Sequence, residues 1–286
     1  MNPLDLAQQL AQRFAGRADE ADRKGKLPPE DIQDLQNSDY PALNVPKELG
    51  GYGLSMRDSV AAQLELAQGS TSTALVAGMH MHVMAHNAEI REWDDNFYKQ
   101  LCQEIIRDGA LVNSVASEPK LGSPSRGGSF QTYAELIEEE RQWRVNGHKT
   151  WTTGSPYLTY MLVKLSVQGG NGIMVIRKGT PGLRIEQTWG DALSLRASDS
   201  HDVYFDDVVV PYENLIQQVE GRGPSNLWFP MVMAATYLGA GFAARTAVIQ
   251  FALERVPTAL GRPIATLPKI QRQIGEIDVA LQAARS

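Results

Sequence analysis

Residues 143–156 read WRVNGHKTWTTGSP, with Trp151 set among Thr150, Thr152 and Thr153 and followed closely by Gly154 and Pro156. A strand that only fills a core favours Val, Ile or Leu. An aromatic plane beside short hydroxyls suits a flat heteroaromatic ligand instead, which needs one stacking face and hydrogen bonds at its edge. A packed core Trp is the competing reading. A second stretch, SVASEPKLGSPSRGG, ends a strand at Ser117, Glu118 and Pro119 and runs on into a loop rich in Gly and Ser. Such a loop can bring backbone N–H groups and hydroxyls to a phosphate or a carbonyl-rich ring, with Arg126 adding charge. An ordinary connection between strands has the same composition.

Other reactive side chains are less well placed. His82 and His86 in MHMHVMAH lie four apart and share one helix face. No acidic residue accompanies them as in a zinc-protease motif, so a packed or ligand-facing helix side is expected rather than a metal site. Cys102, the single cysteine, has no base beside it in sequence and reads as a small buried residue. The chain contains no GxSxG, Walker loop or GxGxxG.

The elements that must position these residues fall into a helical, then β, then helical order. Leu4, Leu6, Ala7, Leu10, Ala11 and Phe14 recur at helical spacing, and helical patterns continue to Gly109 around the Gly-rich loop NVPKELGGYGLS. From Leu111 short segments rich in β-branched and aromatic residues alternate with turn residues, as in an antiparallel sandwich or barrel. WRVNGHKTWTTG itself reads as a hairpin turning at Asn146–Gly147, with His148, Thr150 and Thr152 on its second arm sharing a face with Trp143 and Val145. The acidic LIEEERQW reads as a solvated hairpin. Helix returns from about Asn226 to Val256, and a last helix opens at Lys269. The expected division is a helical domain over 1–109, a β-domain over 110–222 and the start of a helical bundle over 223–286. The last two helices each present an apolar face, so a further subunit or further chain is expected to cover them.

Composition narrows the function. With 43% hydrophobic and 21% charged residues the chain reads as ordered and globular, and its net charge of −6 argues against nucleic-acid binding. A lone cysteine fits a reducing cytoplasm, and the amphipathic N-terminus has no apolar signal core. The apolar run from Trp228 to Ala244 is short for a membrane span, contains Pro230 and is followed by Arg245. Its Gly239, Ala240, Gly241, Ala243 and Ala244 suit close helix packing instead.

Four motifs in order resemble the acyl-CoA dehydrogenase family: LNVPKELGGYGLS, SEPKLGS, VNGHKTWTTG and LRASDSHDVYFDDVVVP. The resemblance covers nearly the whole chain. It implies an α+β architecture of N-terminal helices, a central antiparallel β-sandwich or barrel and a C-terminal helical bundle, incomplete here, with FAD between the last two. In that family a Glu removes the α-proton of an acyl-CoA thioester while the β-hydrogen leaves as hydride to the flavin. An electron-transfer flavoprotein or another acceptor then takes the electrons, and the subunits form a homodimer or homotetramer. By this resemblance Ser114, Val115, Ala116 and Ser117 hold the flavin with backbone and hydroxyls, Trp151, Thr152 and Thr153 cover and hydrogen-bond its ring, and Ser123 lies near the thioester and pyrophosphate. Ser117 stands where Thr is usual, and Ser114 where an aromatic is common. The family's alternative base position falls near Phe229 and Pro230, where no acid is present, and Leu260 replaces a Phe in the following motif, whose Arg is displaced or lost. No catalytic base is identified. A flavin-dependent monooxygenase of the same fold, using FAD or FMN, and a non-catalytic flavin- or CoA-binding relative are the alternatives.

Overall fold

The structure, a computed structural model, describes residues 2–121, 129–219 and 225–286. Five helices come first. In α1 (Pro3–Lys24) the Asn2 side chain accepts the Leu4 N–H, Pro3 takes the first helical position and Gly25 ends the helix at φ 61°. Its buried Leu6, Ala7, Leu10, Ala11 and Phe14 make the apolar stripe that the spacing predicts. The helices α2 (Pro29–Gln36), α3 (Met56–Gly69), α4 (Thr71–Ile90) and α5 (Asp95–Asp108) follow, with Ser55, Ser70 and Asp94 capping the last three. Most of α4 is buried, from Thr73 to Asn87, so it is the central helix of this group.

The chain then forms β1 (Val112–Val115), β2 (Tyr133–Ile137), β3 (Gln142–Thr152), β4 (Tyr160–Val167), β5 (Gly170–Arg177), β6 (Leu183–Glu186), β7 (His201–Pro211) and β8 (Leu215–Val219). They lie in one sheet in the order β6-β7-β3-β2-β4-β5-β8, with β1 pairing to β4. Most pairs are antiparallel as expected, but β1 runs parallel to β4, and β2 meets β4 in parallel at Tyr133 and Ser166. Parallel partners need a long crossover. Here β2, β3 and their connections supply it.

No hairpin forms at Asn146–Gly147, contrary to the sequence reading. β3 continues through this point with a shift of register against β7 between Val145 and Gly147, and the Asn146 side chain is engaged across the sheet. Its Nδ2 donates to Asp207 Oδ1 at 3.0 Å, and its Oδ1 accepts the Asp207 N–H at 2.9 Å. Gly147, at φ 152°, is required by close approach, since a Cβ there would lie 2.6 Å from Thr132 Cα. The inner face of β3 is therefore Trp143, Val145 and Lys149, all buried, while His148 stacks outside on Tyr204 at 4.1 Å. The hairpin that does form joins β2 to β3, with Ile137 opposite Gln142, and its turn holds the acidic residues read as solvated.

Two helices close the chain, α6 (Trp228–Glu254) and α7 (Pro268–Arg285). Among the described residues α6 is the one helix whose length and composition would allow it to cross a membrane. It lies so close to α3 that a Cβ on Gly239 would sit 2.6 Å from the Leu64 carbonyl oxygen and from Ala67 Cβ. Buried Gln63 ties this junction together. Its Nε2 donates to the Ala74 carbonyl and to Thr236 Oγ1, and its Oε1 accepts the Tyr40 hydroxyl. The far side of α6 leaves Met231, Tyr237, Phe251 and Leu253 exposed, and α7 buries no residue.

Candidate cofactor site

The exits of β1 and β3 converge. The Thr150 N–H donates to the Ser117 carbonyl at 2.9 Å, and Asn113 Nδ2 donates to the Thr153 carbonyl at 3.1 Å. These bonds bring together the two segments expected to carry the chemistry, Ser114–Ser117 and Trp151–Thr153. Ser114 and Val115 lie opposite Leu162 and Val163 of β4. Val115 is buried in the core, so only its backbone can serve a ligand. Ser123 and Arg126 lie outside the described residues.

Trp151 is not a core residue. Opposite β7 the register advances three residues on β3, from Lys149 to Thr152, for two on the partner, so the strand is bulged across Thr150 and Trp151. The Trp151 φ is +56° and the residue is 58% exposed. A bulky residue in the left-handed region is an outlier that persists only where the surrounding structure imposes it, and such residues cluster at functional sites.

The next residues turn inward. Thr153 is buried, with Oγ1 2.9 Å from Ser200 Oγ, which itself lies 2.8 Å from Ser198 Oγ. The N–H groups of Gly154 and Ser155 donate to the Ser198 and Asp199 carbonyls. Among the described residues, buried Thr152 Oγ1 and Asn113 Oδ1 have no hydrogen-bond partner. Buried polar atoms are normally paired, so a group beyond the described residues, a water or a ligand is expected to complete their bonding. An open indole face, a set of short hydroxyls and polar atoms lacking partners fit a planar heteroaromatic ring such as a flavin.

Behind this surface lies an ion pair that no sequence motif marks. Lys149 Nζ donates to Glu118 Oε1 at 2.8 Å and to the Ala116 carbonyl at 3.2 Å. Glu118 also accepts the N–H groups of Gln131 (2.7 Å) and Thr132 (2.9 Å). Burial lowers the Lys149 pKa to about 8, against the opposing effect of Glu118. Burial pushes Glu118 up, but the bonds from Lys149, Gln131 and Thr132 outweigh it and hold the carboxyl below its usual range. Both groups are therefore charged at neutral pH. The available signal was that Lys149 shares the parity of buried Trp143 and Val145.

On the helical side, His82 is buried and meets Phe229 edge-on at 5.1 Å, with Asn226 Nδ2 3.3 Å from its Nδ1. Burial lowers its pKa to about 3, reinforced by the positive charge of Lys164. The first turn of α6 carries no acid, and Phe229 and Pro230 occupy it. His86 is half-buried and brings no third ligand, and among the described residues no group of three or more His, Cys, Asp or Glu is arranged to hold a metal. Cys102 is fully buried, and burial raises its thiol to about 11.

Comparison with known proteins follows the same lines. The family model for the acyl-CoA dehydrogenase N-terminal domain matches residues 4–93, and that for the acyl-CoA dehydrogenase middle domain matches residues 114–208. The chain is 37% identical to the Bacillus subtilis protein named "Putative acyl-CoA dehydrogenase YdbM" over 279 residues, covering 96% of this chain and 72% of that one. Among solved structures, TdsC from Paenibacillus in complex with FMN and indole superposes with a TM-score of 0.84 at 22% identity, covering 100% of this chain and 75% of that one. Butyryl-CoA dehydrogenase from Megasphaera elsdenii superposes at 0.81 and 21% identity, covering 100% and 77%. At such identities the superpositions establish the shared fold alone. The two family models span more than half of the sequence and the Bacillus relative aligns along nearly all of it, and on that ground the chain belongs to the acyl-CoA dehydrogenase family of flavin oxidoreductases.

Proposed function

We propose that this chain binds FAD between the β1 exit and the β3 bulge and serves an oxidoreductase that desaturates an acyl-CoA thioester between its α and β carbons. The observation that carries the reading is Trp151, held exposed in the left-handed region next to the Thr150–Ser117 hydrogen bond. The backbone of Ser114–Ser117, the Trp151 indole face and the hydroxyls of Thr152 and Thr153 would hold the cofactor. Bound flavin supplies a two-electron acceptor for hydride. The chain's own residues orient the ring and, through buried Val115 and Thr152, keep water from its inner side. Electrons pass on to an electron-transfer flavoprotein or another acceptor, and a second copy of the chain in a homo-oligomer covers the apolar side of α6.

A second reading has its own support in the first turn of α6. Where an acid would abstract a proton, the chain has Phe229 and Pro230, and Phe229 meets the neutral, buried His82 edge-on. That arrangement suits a flavin-dependent monooxygenase of the same fold. The test is anaerobic titration of FAD-loaded protein with short- to long-chain acyl-CoA esters. Desaturation predicts loss of the visible flavin band with at least one ester. No bleaching with any ester, together with oxygen uptake by the reduced flavoprotein in the absence of acyl-CoA, selects the monooxygenase.

A further inference from the structure

We propose that the buried Lys149–Glu118 pair is a positioning device for the cofactor: by holding the Ala116 carbonyl, Lys149 aims the Ser117 N–H at the flavin. The inference rests on the flavin reading above and adds residues that contact no ligand themselves.

The pair is not explained by stability. Its side chains are 0% and 1% exposed. Removing two charges from water costs about as much as their attraction returns, and buried pairs are often replaced by apolar residues without loss. Specific geometry is what such a pair adds, and here every polar atom is used. The three directions around Lys149 Nζ hold Glu118 Oε1, the Ala116 carbonyl and the face of Phe130, 4.4 Å from the ring centre. Glu118 Oε1 is shared between Lys149 and the Thr132 N–H, while Oε2 takes the Gln131 N–H. One pair thus joins β3, the β1 exit and the approach to β2.

The consequence for the β1 exit follows from the planar trans peptide, in which the carbonyl of one residue and the N–H of the next point to opposite sides. The Ala116 carbonyl is turned to Lys149, so the Ser117 N–H points away from Lys149. The Ser117 carbonyl is in turn fixed by the Thr150 N–H. Both peptides flanking Ser117 are therefore clamped by consecutive residues of β3, and the bulged Trp151 follows directly. The indole face and the Ser117 donor are set relative to each other by Lys149 and Thr150. Without the ammonium the Ala116 peptide is free to rotate, and the donor loses its direction.

The experiment compares the parent, Lys149→Met, the neutral double variant Glu118→Gln/Lys149→Met, and Val145→Ala as a β3 core control, each as the full chain freed of flavin. FAD is the probe, read by fluorescence titration and by the visible spectrum of the bound flavin, beside the melting temperature without FAD. The double variant is expected to melt within a few degrees of the parent, yet to bind FAD at least tenfold more weakly and with altered visible bands. Val145→Ala is expected to lower the melting temperature while its FAD affinity stays within twofold. Hydrogen exchange on the parent provides a readout independent of any variant: the Ser117 amide slows at least tenfold on adding FAD. A folded double variant with parental affinity and spectrum overturns the proposal, as does a Ser117 amide whose exchange ignores FAD. The exchange result decides alone if the double variant does not fold. A parent that binds no FAD overturns the flavin reading itself and this inference with it, which separates the two failures.

Discussion

Trp151 holds a conformation that its own side chain opposes. Left-handed backbone costs a non-glycine residue about 1–2 kcal/mol, and a tryptophan left 58% exposed recovers little of that by burial. The cost is accounted for if the indole serves a ligand. Trp151→Ala is then expected to change unfolding stability by less than about 0.5 kcal/mol, as for other exposed positions, when measured by urea denaturation. Trp151→Gly, free to adopt this φ, is expected to be more stable than Trp151→Ala by up to about 1 kcal/mol. Gly147 is the opposite case. Its missing Cβ makes room for the backbone of Thr132, so Gly147→Ala is expected to cost about 1–3 kcal/mol through overpacking. A urea midpoint equal to that of the parent would show that the segment at Thr132 moves aside freely.

At the scale of elements, the contact of α3 with α6 depends on Gly239, and Gly239→Leu is expected to lower stability by about 1–3 kcal/mol in the same assay. Elements whose signals are local were readable from sequence. α1 shows its stripe and its ends, Asn2 and Gly25, and α5 lies between the cap Asp94 and Gly109. Elements defined by distant partners were not. Asn146–Gly147 has the residues of a turn, but the partner it meets is Asp207, some sixty residues on, and the chain stays extended. The parallel pairing of β1 with β4 joins Val112 to Tyr160, far apart in the chain, and leaves no periodic trace. The candidate site divides the same way. Trp151 among threonines and the Ser117 region could be read as chemistry, whereas the contact between them appears only in the folded chain. The Lys149–Glu118 pair was missed because charged side chains are expected at the surface.

For the whole molecule, the helical side carries a pH dependence with a definite sign. Burial lowers His80 to about 4 and His82 to about 3. Both are neutral in the folded state, but in the unfolded chain they take up protons below about pH 6.5. The unfolded state therefore binds more protons between these limits. Their contribution is fully present above pH 6.5 and is lost as pH falls toward 4, by up to about 1.4 kcal/mol per pH unit for each histidine. Urea midpoints from pH 7 to 5 should fall steadily, and a flat profile would contradict two buried neutral imidazoles. The proposed function stands or falls with the β1 exit and the Trp151 bulge forming a flavin site on this chain. Its most direct test is FAD titration of the flavin-free parent beside Trp151→Ala, with the melting temperature recorded for both. The parent is expected to bind FAD saturably, and the variant at least tenfold more weakly at a nearly unchanged melting temperature. Equal affinity in the two proteins, or no binding by the parent, would contradict a flavin site there.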